Sequence, residues 1–187
     1  NHLFEGAPHE SLFSYSYAKR SMAVQIDAYN IKYKTKYNYI IPCNLYGEFD
    51  KFDEIQGHFV GALINKIIKA KKKNKKYIKL FGDGSPKRQF MHASDLAKVI
   101  HLIIKKNIKD SFNVATSENY SVKKIAKIAL KACNYENAKI HFIKSMPNGQ
   151  MRKDIDIKNF KKILPKFKPI ILKDGIKEIY LKKTKRI

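Results

Sequence analysis

The chain has 187 residues, 44% hydrophobic and 12% aromatic, with 8 Gly and 6 Pro, enough for one ordinary domain or slightly more and unlike collagen, linker or disordered sequence. The formal net charge of +23 raises nucleic acid as a partner. Only Arg20, Arg88, Arg152 and Arg186 of the 39 basic residues carry the guanidinium fork that base reading favours, and the lysines are spread along the whole chain, so nucleic acid is not the expected ligand.

Helical and strand-like segments alternate without an internal repeat, the pattern of an α/β fold. Residues 15–33 read as a helix, with Ala18, Met22, Gln25/Ile26 and Tyr29 recurring at spacings of three and four. Residues 37–41 read as a strand, and 42–47 as the loop leaving its carboxyl end, the place where open α/β sheets bind ligands. A helix over 57–70, a strand over 77–81 and the turn Gly82-Asp-Gly-Ser-Pro86 follow. Residues 93–106 form a helix with Leu96, Val99, Ile100 and Ile103 inward, then comes a strand over 111–114. Ser121 caps a helix running to 132, residues 140–143 form a strand, and two short helices near 157–164 and 172–181 complete the set.

The lysine run from Lys69 to Lys79 reads as a solvated loop face, with a polyanion contact as the alternative. Cys43 and Cys133 are too few for a disulfide framework and lie in no metal-ligand spacing, which points to a reducing compartment and no bound metal. No apolar run approaches the roughly 18 to 20 residues of a spanning helix. The expectation is a soluble, cytoplasmic protein.

Tyr15 and Lys19 stand four apart and so share one helix face. A lysine ammonium beside a phenol favours the phenolate, and a hydroxyl tuned in this way exchanges a proton with a carbonyl or alcohol near neutral pH. Taken alone, the same spacing far more often packs an aromatic ring on a lysine stem.

The ordered context decides between these. Glu5-Gly-Ala-Pro-His9, Tyr15-Ser-Tyr-Ala-Lys-Arg20, Pro42-Cys-Asn-Leu-Tyr-Gly47, Asp50-Lys-Phe-Asp53 with Gly57-His58, Gly82-Asp-Gly-Ser-Pro-Lys-Arg-Gln-Phe90, Asp95-Leu-Ala97 and Pro147-Asn-Gly149 follow one another over about residues 5 to 155. In order and spacing this series resembles the GDP-L-fucose synthase family of the extended short-chain dehydrogenase/reductase superfamily. The resemblance implies the carboxyl-terminal part of a doubly wound, Rossmann-type NADP-binding domain over 1–48. A smaller α/β sugar-nucleotide domain would occupy most of 49–187, with segments near 89–114 returning to the first.

It also implies roles. Tyr15 would protonate the C4 oxygen of a 4-keto sugar, and Lys19 would orient the nicotinamide ribose of NADPH and tune the tyrosine. Pro42, Cys43, Asn44 and Leu45 would line the nicotinamide side. His58 matches the acid that reprotonates the enolate during epimerisation and also touches the cofactor; without the resemblance, a histidine at a helix start is a cap or a surface group. Arg88 would grip the diphosphate of a GDP-sugar substrate, and Lys66, Phe81 and Asn148 would complete the substrate side. The complete enzyme would be a homodimer through the Tyr15 helix.

Departures accompany the matches. No G-x-x-G-x-x-G turn follows an amino-terminal strand, so the pyrophosphate cradle at a helix N-terminus is missing. The family's upstream catalytic Ser and Cys are also absent, and Cys43, downstream of Tyr15, is not that cysteine. Phe81 stands where many relatives have Trp, Lys66 where some have Arg, and Asn148 where Asp is usual. The chain therefore reads as the carboxyl-terminal portion of a longer enzyme, inactive alone. Two alternatives stay open: another sugar-nucleotide epimerase or dehydratase of the superfamily, and a non-enzymatic, Lys-rich polyanion-binding protein.

Overall fold

The computed structural model describes residues 3–54 and 56–185. After a short 3-10 turn at Glu10–Leu12 come α1 (Phe13–Tyr33), β1 (Ile40–Pro42), β2 (Asn44–Tyr46), α2 (Phe59–Lys72), β3 (Tyr77–Phe81) and β4 (Lys87–His92). They are followed by α3 (Ala93–Lys105), β5 (Phe112–Val114), β6 (Asn119–Ser121), α4 (Val122–Ala132), β7 (Lys139–Ile143), α5 (Lys158–Ile163) and α6 (Leu172–Lys185). The α/β class is the expected one. No described helix is long and apolar enough to cross a membrane.

Among the described residues three small sheets carry the topology. β1 pairs with β5 in parallel, Ile40 opposite Phe112, and β3 with β7 in parallel, Leu80 opposite Phe142. In the third, β4 is central: it runs parallel to β2, with Leu45 opposite Met91 and Tyr46 opposite His92, and antiparallel to β6, with Arg88 opposite Tyr120. Parallel pairs need helical crossovers, which is what the alternating sequence provides.

Two apolar cores result. The larger joins α2 (Val60, Leu63, Ile64, Ile67), β3 (Ile78, Leu80), α4 (Ile125, Ala126, Ala129, Leu130) and α6 (Leu172, Ile176, Ile179). The smaller joins Cys43, α3 (Val99, Ile103), β5 (Phe112, Val114) and α5 (Phe160) with Leu164. Successive strand residues point to opposite faces, and β4 uses this to supply Phe90 to the first core and Met91 to the second.

Local chemistry explains the helix ends. Ser121 accepts the Lys124 amide at 3.1 Å, as an N-cap should. α2, α3 and α4 each end in a Schellman turn with Asn74, Asn107 or Asn134 at φ near +50°. Asparagine enters the left-handed region at lower cost than other side-chain-bearing residues and here takes the place usual for glycine.

Several expectations need correction. Residues 44–46, read as loop, form β2, because Asn44 to Tyr46 pair with Phe90 to His92. β4 and β6 lie where no strand was expected. Of the recurring α1 positions Ala18, Met22, Gln25/Ile26 and Tyr29, only Ile26 lies on the inner face, which runs through Ser16, Arg20, Ala23, Ile26 and Asn30 with Ala23 the buried residue, while Met22 and Tyr29 are about half exposed. Small Ala23 permits close approach, and the bulkier stripe faces out. Ile100 of α3 is likewise exposed rather than inward. Within the lysine run, Lys71 is structural, since its ammonium donates to the Cys133 carbonyl and to Tyr180 Oη, both at 3.1 Å, closing the end of α4 onto α6.

Candidate active site

A cleft of about 1770 Å³ opens beside the carboxyl ends of β1 and β2, and all eleven residues singled out from the sequence line it. Tyr15 and Lys19 come from the first turns of α1, Pro42 to Leu45 from β1 and β2, His58 and Lys66 from α2, Phe81 from the end of β3, Arg88 from β4, and Asn148 from the loop after β7.

Tyr15 is exposed to the cleft, and the Lys19 ammonium lies 5.7 Å from its ring centroid. Asn44 donates to the Gln89 carbonyl at 2.9 Å, tying β2 to β4. Cys43 is buried, and burial pushes its thiol up to about 11, too high for it to serve as an acid–base group at neutral pH.

His58 occupies the N-cap position of α2, yet its side chain makes no capping bond. Nδ1 instead meets Asp50 Oδ1 at 2.8 Å. Asp50 stands inside a quoted motif but was not singled out; the signal was a carboxylate eight residues before the histidine, across a loop that folds back on the helix start.

On the opposite wall, Lys66 lies 5.1 Å from the Phe81 ring centroid and donates to the Lys79 carbonyl at 3.2 Å. Asn148 Oδ1 accepts the Asp83 amide at 2.8 Å, so this side chain braces the Gly82–Pro86 turn, and after the Ser85 bonds its hydrogen bond to the Asp83 carboxyl also helps hold that group below the usual carboxylate range. Gly82 has φ +76°, and a Cβ there would meet Asn148. Arg88 shares the cleft with Lys153, a residue not singled out. Burial lowers both pKa values, and the Arg88 charge lowers that of Lys153 further. Among the described residues neither has a carboxylate partner, so the pair presents uncompensated positive charge, suited to a diphosphate. Tyr46 and His92, also lining the cleft, meet edge to face at 5.2 Å.

The sequence profile of the NAD dependent epimerase/dehydratase family matches residues 3–115, and the chain belongs to that family. Among curated relatives it is 31% identical to a GDP-L-fucose synthase of Dictyostelium discoideum over 94% of this chain and 55% of the relative. It is 38% identical to a GDP-L-colitose synthase of Yersinia pseudotuberculosis over 65% of this chain and 40% of the relative. The chain thus spans about half the length of the curated relatives it matches. Among solved structures, a GDP-L-fucose synthetase from Naegleria fowleri bound to NADP superposes with a TM-score of 0.88 at 27% identity, covering 98% of this chain and 59% of that one. A GDP-6-OMe-4-keto-L-xylo-heptose reductase from C. jejuni superposes at 0.83 and 26% identity, covering 98% and 64%.

Proposed function

We propose that this chain carries the substrate side and the nicotinamide end of an NADPH-dependent enzyme that converts GDP-4-keto-6-deoxy-D-mannose to GDP-L-fucose by 3,5-epimerisation and 4-keto reduction. The observation that carries this reading is the convergence of all eleven residues on one cleft, together with the GDP-L-fucose synthase relatives.

The residues present fit NADPH at one end only. Tyr15, Lys19 and the 42–45 segment would hold the nicotinamide riboside, whereas residues 1–187 contain no Gly-rich turn for the pyrophosphate. When bound, the cofactor supplies the hydride. Tyr15 gives its proton to the C4 oxygen, with Lys19 stabilising the phenolate left behind. In the epimerisation a base from outside residues 1–187 takes the proton α to the ketone, and His58 returns one to that carbon of the enolate. Arg88 and Lys153 hold the diphosphate, Phe81 with Lys66 takes the nucleotide portion, and Asn148 offers an amide where relatives place a carboxylate.

The smaller core, through Cys43, Met91, α3 and β5, supports placing the 42–45 segment and residues near 91–114 on the cofactor side and draws Phe160 and Leu164 to that side as well, whereas the larger core, through α2, β3, α4 and α6 with Tyr46 and Phe90, supports a sugar-nucleotide side. The outward stripe of α1 supports a homodimer through that helix. A second reading, in which the product is another GDP-deoxysugar, is favoured by the 38% identity to the GDP-L-colitose synthase and by Asn148.

Calorimetric titration of the 187-residue chain with GDP and UDP tests the substrate side. GDP is expected to bind in preference to UDP, and Arg88→Ala to weaken it about 10- to 100-fold, the worth of a charge-assisted bond. Equal affinity for both nucleotides, unchanged by Arg88→Ala, overturns the assignment; identification of the sugar product separates the two readings.

A further inference from the structure

We infer that Asp50 is a positioning residue that fixes the tautomer and orientation of His58, so that Nε2 is the nitrogen that exchanges the proton. This rests on the reading of His58 as the epimerisation acid.

The pairing is built rather than incidental. The Asp50 side chain is 8% exposed while His58 is 80% exposed, so the carboxylate is the fixed partner and the imidazole the one being held. Asp50 Oδ1 accepts both the Lys51 amide and His58 Nδ1 at 2.8 Å. Oδ2 is buried with no partner among the described residues, which leaves His58 as the one side-chain donor to this carboxylate. A Cβ on Gly61 would lie 3.1 Å from Oδ2 and 3.2 Å from the Lys51 carbonyl. A side chain at this point of the first turn of α2 would press on the carboxylate and the Lys51 carbonyl, and glycine leaves them room.

A carboxylate can only accept, so Nδ1 carries the hydrogen and, in the neutral ring, Nε2 carries the lone pair. His58 forgoes a capping bond to its own helix, and the nitrogen that could have capped is the one Asp50 takes. Without Asp50 an exposed imidazole would rotate freely and sample both tautomers, and the proton would be delivered from either nitrogen in many orientations.

The test uses Asp50→Asn and His58→Gln. Long-range ¹H–¹⁵N spectra of the labelled chain at alkaline pH, with His58 assigned by its loss in His58→Gln, report the tautomer directly. A protonated Nδ1 in the wild type and a mixture in Asp50→Asn are expected. A carboxylate that merely closed the loop through the Lys51 amide would leave the tautomer unmoved. In the holoenzyme, Asp50→Asn should slow deuterium wash-in at the carbons flanking the ketone by roughly 10- to 100-fold with KM little changed. That is less than the about 10⁴ lost when the buried aspartate of a serine-protease triad is neutralised, because here the imidazole is exposed. Gly61→Ala, which crowds Asp50 without removing its charge, should act in the same direction and serves if Asp50→Asn does not fold. A wild-type ring that is not Nδ1-protonated, or an unchanged tautomer in both variants, overturns the inference whatever the reaction is. A tautomer held by Asp50 while neither His58→Gln nor Asp50→Asn alters wash-in overturns instead the role given to His58, and with it the catalytic half of this inference.

Discussion

Gly175, at the close of the first turn of α6, packs directly against Tyr46 behind the cleft wall. A Cβ at this position would lie 2.3 Å from Tyr46 Oη and 3.0 Å from ring atoms Cε2 and Cζ. Tyr46 is 2% exposed, and its ring sits edge to face on His92 and on Phe90, with centroids at 5.2 and 6.4 Å. It cannot yield without disturbing the β2–β4 wall. On a free helix surface Gly→Ala stabilises by about 0.5–1 kcal/mol, whereas forcing extra volume into a packed core costs about 1–3 kcal/mol. With rigid ring atoms inside contact distance the second effect wins. Gly175→Ala should lose about 1–2 kcal/mol, lowering Tm by about 2–8 °C for a chain of this size. Tyr46→Phe removes the nearest atom, a buried hydroxyl without a partner among the described residues, so it should be near neutral alone and should recover part of the loss in the double variant. A coupling of about 0.5–1.5 kcal/mol is expected from thermal melts of the four proteins. A Gly175→Ala chain melting at or above wild type, or strict additivity, would refute this account of the wall.

Three further outcomes are expected. Burial lowers the His92 pKa below its ordinary 6.5. The unfolded chain then binds a proton that the folded one refuses, so stability should fall as pH drops through about 6.5, and His92→Gln should flatten melts taken between about pH 7.5 and 5.5. Burial pushes the thiols of Cys43 and Cys133 up to about 11 and about 12, so neither should react with a thiol reagent at pH 7.5 until the chain is unfolded; rapid labelling of the native chain would contradict their placement. Val24, Ile31 and Tyr33 leave much of α1 bare, so sedimentation of the 187-residue chain should show concentration-dependent association, relieved by Val24→Glu with Ile31→Glu, and calorimetry should find no tight NADPH binding.

Legibility followed the range of the interactions. The start of α4 was readable because Ser121 acts within a few residues of itself, and the asparagines after α2 to α4 are an equally local signal that was not used. β3 was readable because Ile78 and Leu80 alternate with Lys79 and Phe81. β2, β4 and β6 are three to six residues long and become strands only by pairing with partners far along the chain, such as Asn44 with Phe90 and Arg88 with Tyr120, a contact with no local signature. The inner face of α1 was missed because that helix carries apolar residues on more than one side, and tertiary contact, not periodicity, chooses between them. The cleft residues were legible as an ordered series of motifs. Asp50 and Lys153 were not, because their importance lies in a partner, His58 or Arg88, that sequence spacing does not identify.

The double membership of β4 has a consequence for how accurately the cleft is assembled. Slipping a strand by one residue turns every side chain to the other face. For β4 such a slip would exchange Phe90 and Met91 between two different apolar interiors, each of which would then hold a side chain of the wrong shape. The alignment is therefore checked twice, by two independent packing problems that must be solved together. Arg88 stands two residues upstream on the same strand, paired opposite Tyr120, and its reach into the cleft inherits that redundancy. The position of the guanidinium thus depends on how residues 90 and 91 pack, so volume changes there should be read out as altered anion affinity.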